Sequence, residues 1–132
     1  MDPVIEMVKE YEECWSTTNA ADMPKYFVEG GTYTPAGEGP LTGQAIADYA
    51  EAVFKAFPDS KMPITRIIRE GNHIAVEWTY RATMTGDYGP MQATGKSFEL
   101  VGAHLIEVEG DKLKSVISRW DRLDMLQQVG LA

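Results

Sequence analysis

At 132 residues with 44% hydrophobic content, the chain has the size of one domain, residues 1–132, which buries about two-thirds of its unfolded surface around a single core. A formal charge of −8 excludes the clustered basic surface that nucleic acid or an anionic membrane requires, and no apolar run approaches membrane-spanning length. The start, "MDPVIEMVKEYEECW", is charged and amphipathic, unlike a signal peptide, so a cytoplasmic protein with small, neutral or weakly charged ligands is expected.

After "DP", where Asp2 suits a cap and Pro3 a first helical turn, Val4, Val8, Tyr11, Trp15 and Thr18 recur at three- and four-residue intervals and predict a helix. The lone cysteine, Cys14, falls inside this pattern; it forms no internal disulfide and reads as a small buried residue. "ADMPKYF" predicts a short helical segment, with Asp22 as its cap and Gly30 and Gly31 as its stop. "TYTPAGEGPLTG" predicts a short strand around Tyr33 followed by a loop. A second long helix begins at Thr42, buries Ile46, Tyr49, Ala50, Val53, Phe54 and Phe57, and ends before Pro58.

From there the period changes to two. "ITRIIRE" is a strand, and "EGNH" turns it into "HIAVEWTYRATM", with Ile74, Val76, Trp78 and Tyr80 on one face. "TGDYGPMQATG" is a loop bracketed by Met84 and Met91. "KSFELVGAHLIEVEG" puts Phe98, Leu100, Gly102, His104, Ile106 and Val108 on a common face, and "EGDK" turns into the last strand, "KLKSVISRWD". Helices first and a four-stranded meander afterwards predict an α+β fold, with helices packed on one face of an antiparallel sheet.

Few residues carry chemistry. His104 is an ionisable group on an apolar strand face, which fits either a core imidazole satisfied by hydrogen bonds or a ligand-orienting and catalytic group. No metal site is expected, because His73 opens a different strand and no HxH, HExxH or Cys/His spacing occurs. "GEGPLTG" and "TGDYG" match no phosphate-binding loop, and GxSxG is absent. Trp15, Tyr33, Trp78 and Tyr80, with Met91, suit the lining of a hydrophobic pocket for a flat ligand as well as they suit ordinary core. Asp121 closes the last strand and precedes a Leu-bearing helical turn, as an N-cap does. Alternation also groups it with Leu113, Ile117 and Arg119; if that face looks inward, Asp121 is an acid at the mouth of a pocket.

The stretches "TGQAIADYAEAVFKAFPDSK", "EGNHIAVEWTYRATMTGDYG", "ATGKSFELVGAHLIEVEGDKLKSV" and "WDRLDMLQQVG" resemble the SnoaL-like polyketide cyclase and ester cyclase family over about Trp15 to Gly130. The series FPD, EG, TGK, GD, WD and QxG carries the likeness, with "QQVG" standing where the family often has a QLG-type motif. The resemblance implies the cone-shaped nuclear transport factor 2-like fold, N-terminal helices on a curved antiparallel sheet. It also implies a cofactor-independent, metal-free enzyme performing aldol-type acid/base ring closure on a small hydrophobic, carbonyl-rich substrate. By that likeness Asp121 is the general acid/base and His104 its pocket partner; Trp15, Tyr33, Trp78, Tyr80 and Met91, read as pocket candidates from their own chemistry, are the expected substrate-binding residues. A ketosteroid isomerase is disfavoured, because "TYTPAGEG" stands where those enzymes carry their aspartate. A non-catalytic small-molecule binding protein and a hydrolase or hydroxylase on the same fold are the alternatives. A homodimer or small homo-oligomer is expected through the open sheet face, where Ala75, Thr79 and Val101 leave little charge.

Overall fold

The computed structural model of the protein describes residues 1–132 and contains three α-helices and six strands. Helix α1 spans Pro3–Ser16, with the Asp2 carboxylate accepting from the Val4 and Ile5 N–H groups at 3.0 and 3.3 Å. It stops short of Thr18, which takes a left-handed backbone conformation with φ 52°. "MPKY", Met23–Tyr26, is a single 3-10 turn without a side-chain cap, because Asp22 bonds Asn19 instead.

The glycines at 30 and 31 do not stop a helix; they lie inside strand β1, Phe27–Thr34, which is longer than the expected piece around Tyr33. A Cβ at Gly31 would sit 2.9 Å from the carbonyl oxygens of Leu113 and Val28, so this stretch of β1 has no room for a side chain. A two-residue strand β2, Leu41–Thr42, takes the residue expected to open the second helix, and α2 runs over Gln44–Ala56. Then come β3 Ile64–Glu70, β4 His73–Thr83, β5 Ser97–Glu109, β6 Lys112–Arg119 and the short helix α3 Arg122–Gln128.

The strands form one curved sheet in the order β2-β1-β6-β5-β4-β3. The expected antiparallel meander is present from β3 to β6, but β1 joins β6 in parallel, so the sheet is mixed. Helices α1 and α2 bury Val8, Tyr11, Trp15, Ile46, Val53 and Phe54 in a core shared with Ile74, Val76 and Trp78 of β4, Ile106 and Val108 of β5, and Leu113 and Val116 of β6. No helix is long and apolar enough to cross a membrane.

One irregularity in β6 decides which side chains reach that core. Val108 pairs with Leu113 but Glu107 pairs with Ser115, so Lys114 is an extra residue, a β-bulge. Before it Leu113 is buried; after it the buried residues are Val116 and Ser118. Strict alternation from Leu113 would have sent Ile117, Arg119 and Asp121 inward; the bulge sends them to the opposite face.

Candidate functional site

Between the helices and the concave face of the sheet lies an apolar cavity, with 18 hydrophobic residues among the 22 that line it. Its inner wall comes from α1, β1, β4 and β5, which supply Trp15, Tyr33, Trp78, Tyr80 and His104. Its mouth is framed by Met91 and Tyr88 of the loop between β4 and β5, by Glu38, and by Trp120, Arg122, Met125 and Leu126 around α3. The six pocket residues read from the sequence, Trp15, Tyr33, Trp78, Tyr80, Met91 and His104, therefore line one space.

Asp121 does not join them. It is exposed, its carboxylate accepts from the Asp124 N–H at 3.0 Å as the N-cap of α3, and its neighbours Trp120 and Arg122 face the cavity in its place. The physical reason is the Lys114 bulge, which turns the even-numbered residues of late β6 inward. Helix α3 is held over the mouth by the amide of Gln128, which both accepts from and donates to the backbone of Glu99, at 2.9 and 3.0 Å. The "QQVG" segment thus has a plain mechanical role.

His104 is buried at the inner wall, with ring centroids of Trp78, Tyr33, Trp15 and Tyr11 at 5.3, 5.9, 6.2 and 6.4 Å. Its Nδ1 lies 2.7 Å from Oε1 of Glu12, which is equally buried on α1. The second imidazole nitrogen, Nε2, makes no hydrogen bond to another protein group, and His104 is one of the residues that line the cavity. Ser118 stands beside it, paired with His104 across β5 and β6 and also lining the cavity. The Glu12 Oε2 atom and the Trp78 indole nitrogen are buried without a partner.

Burial pushes the Tyr33, Tyr49 and Tyr80 phenols well above their usual range, so each stays protonated at neutral pH and able to donate. Tyr80 shares a 2.7 Å hydrogen bond with Ser60. Burial likewise pushes the Cys14 thiol up to about 11, which leaves it an inert packing group.

The sequence reading missed Glu12. It sits four residues after Val8 and three before Trp15, squarely on the buried stripe of α1, but in "EYEEC" its charge reads as part of a solvated acidic face. A carboxylate at a core position of a helical repeat is the signal that identifies it. Ser118 and Trp120 were missed for a different reason, since the bulge that turns them inward leaves no mark in the hydrophobic pattern.

A search among curated proteins finds no match. Among solved structures the chain is similar to a candidate polyketide cyclase of Acidithiobacillus ferrooxidans, 24% identical with a TM-score of 0.82 over 99% of this chain and 96% of that one. A candidate SnoaL-like polyketide cyclase of a Jannaschia species is 13% identical with a TM-score of 0.87, over 98% and 93%. AclR, a candidate hydroxylase of Streptomyces galilaeus, is 17% identical with a TM-score of 0.84, over 98% and 82%. At these identities the likeness shows the fold, which is the nuclear transport factor 2-like one. The family model for SnoaL-like polyketide cyclases matches residues 5–129, from α1 to the end of α3. The chain belongs to the SnoaL-like polyketide cyclase family.

Proposed function

We propose that the protein is a cofactor-independent, cyclase-like enzyme that performs acid/base chemistry on a flat, hydrophobic, carbonyl-rich substrate, with His104 as the group that exchanges the proton. The observation that carries this reading is a hydrogen-bonded imidazole in the wall of a cavity otherwise lined by aromatic and aliphatic side chains. Nε2 takes a proton from the carbon α to a carbonyl; the carbanion attacks a second carbonyl carbon of the same molecule, closing the ring. The new alkoxide then takes the proton back from Nε2. The protonated Tyr33 and Ser118 hydroxyls are within the same wall as donors for the developing oxyanion. In this reading Asp121 is a helix cap, and its contribution is to seat α3 at the mouth.

A flat carbon acid with a built-in colour change, 5-nitrobenzisoxazole, tests the reading without knowledge of the natural substrate. Loss of its ring C–H proton to a base breaks the N–O bond and releases a coloured cyanophenolate. Saturable turnover is expected, falling by about a hundredfold in His104→Asn, the usual scale for a positioned proton-transfer group. Asn keeps an N–H for Glu12 and removes the cavity-facing nitrogen. Undiminished turnover in a folded His104→Asn protein, or loss of turnover in Asp121→Asn instead, would return the proton transfer to the aspartate.

The placement of Asp121 outside the cavity favours a second reading, a binding protein that holds a hydrophobic metabolite unchanged. Quenching of tryptophan fluorescence by 5-nitrobenzotriazole, an unreactive analogue of the probe, together with no ring opening of the probe itself, identifies it.

We further propose a homodimer through the outer sheet face. Register places Ile68, Ala75, Leu105 and Ile117 opposite one another in a row across β3, β4, β5 and β6, with Thr79 beside Val101 in a second row. Ile68, Leu105 and Val101 are 56%, 45% and 62% exposed, more apolar surface than a solvated sheet face carries.

A further inference from the structure

We propose that Glu12 is a positioning residue for His104: its carboxyl group holds Nδ1 as the protonated nitrogen and leaves Nε2 bare toward the cavity, which suits the site to flat, uncharged carbon acids. The proposal rests on the reading of His104 as the proton-exchanging group.

The packing around His104 leaves Glu12 alone in that role. The groups that face the ring are Tyr11 and Trp15 of α1, Tyr33 of β1, Trp78 of β4 and Ser118, its cross-strand partner on β6. None of these is charged near neutral pH, because burial raises both tyrosines far above it. The one group that distinguishes the two ring nitrogens is the carboxyl at 2.7 Å from Nδ1. An oxygen accepting from Nδ1–H fixes the tautomer, and the other nitrogen then carries the lone pair.

The bond also spans two independently anchored elements. Glu12 is on a helix and His104 on a strand, 92 residues apart. Helix α1 is tied at its start by Arg69 to Asp2, and at its end by Ser16, whose hydroxyl accepts from the Met62 N–H at 2.8 Å. Held at both ends, α1 presents the carboxyl to the imidazole at a set distance, as a positioned orienting group must be. Glu12 makes no other side-chain hydrogen bond, and Oε2 is sealed without a partner. An apolar residue would serve stability better at a helix position flanked by Val8 and Trp15, so the imidazole is what this carboxyl is placed for.

The substrate class follows from charge. When Nε2 accepts the substrate proton, the imidazolium has a carboxyl group already beside it, which stabilises the product of the transfer. An anionic substrate would find no cationic side chain among the groups that face the ring, since the Arg122 guanidinium belongs to the mouth of the cavity and not to its inner wall. A neutral carbon acid needs none.

The test is nitrogen NMR of protein labelled at its two histidines, with His73→Gln removing the other signal. At neutral pH the expected spectrum shows His104 protonated at Nδ1 and bare at Nε2. In Glu12→Gln, whose amide can accept or donate, and in Glu12→Met, which can do neither, the population is expected to move toward the Nε2–H tautomer. Turnover of 5-nitrobenzisoxazole is expected to lose roughly tenfold or more in kcat with KM nearly unchanged, the pattern of an orienting group. A wild-type ring protonated at Nε2 alone overturns the proposal, whatever either variant does, as does an unmoved tautomer in both variants. A bare Nε2 that depends on Glu12, in a protein that never opens the probe, sustains the role of Glu12 and removes the catalytic reading of His104 instead.

Discussion

His104 meets two demands, one toward Glu12 and one toward the cavity, and substitutions separate them. His104→Ala leaves a buried carboxyl group without its partner and a void beside it, and is expected to cost roughly 2–5 kcal/mol, a fall in melting temperature of about 5 °C or more. His104→Asn restores an N–H toward Oε1 and should recover most of that loss, which thermal denaturation of the pair reads directly. At Asp121 the expectation is the reverse. Asn is as good an N-cap as Asp, so Asp121→Asn should move the melting temperature by about 2 °C or less, while Asp121→Ala loses roughly 1 kcal/mol with the cap. Gly102 is a third residue whose role is spatial. It is the cross-strand partner of Trp78, and a Cβ there would overlap the six-membered ring of that indole and lie 2.8 Å from the Arg119 carbonyl oxygen. Gly102→Ala should destabilise by about 1–3 kcal/mol and narrow the cavity, because Trp78 can move only away from β5. Weaker quenching by 5-nitrobenzotriazole in a folded Gly102→Ala protein is the accompanying readout.

Helix α1 brings Glu12 to the sheet, and its first turn depends on a charge. Arg69 donates to Asp2 at 2.8 Å, and that hydrogen bond, more than the helix N–H groups, holds the Asp2 carboxyl below its usual range. A depressed folded-state value means that Asp2 contributes stability above its unfolded value near 3.8, which is lost as the pH falls through the lower folded value. Arg69→Met should therefore lower the melting temperature at pH 7 by a few degrees and converge on the wild type in acid, as circular dichroism across that range will record. The helices and the longest strands were legible in the sequence because each buries one face with a constant period: α2 shows its stripe, and β4 and β5 alternate. What escaped are the places where that period breaks. β2 is too short to have a period, β1 shifts register between Phe27 and Thr32, and β6 loses count at Lys114. The bulge at Lys114 decides between the two readings of Asp121, pocket acid and helix cap, in favour of the cap. Six cavity residues were readable as inward aromatic, Met and His positions, whereas Glu12 was hidden because a local acidic run outweighs a helical position when only neighbours are compared.

For the whole molecule, the apolar outer rows of the sheet predict self-association. A dimer should sediment at micromolar concentration, and Leu105→Glu, which puts a charge in the middle of the row Ile68, Ala75, Leu105, Ile117, should give a folded monomer. Sedimentation of a monomer only, for the unaltered chain, would count against the interface. The parallel pairing of β1 with β6 bears on something else, the order in which the protein can be built. The neighbour of β1 across the sheet, β6, is made after every other strand of that sheet, and the partner of Glu12 waits 92 residues downstream. Until β6 arrives, β1 can pair with β2 only over two residues, and until β5 arrives the acid on α1 has no imidazole to meet. The N-terminal quarter of the chain therefore lacks its long-range partners through most of synthesis, and closure of the sheet waits for β5 and β6. Contacts of such long sequence separation place folding on the order of milliseconds to seconds, and the cavity comes into being only at that closure, with its acid and its imidazole meeting for the first time.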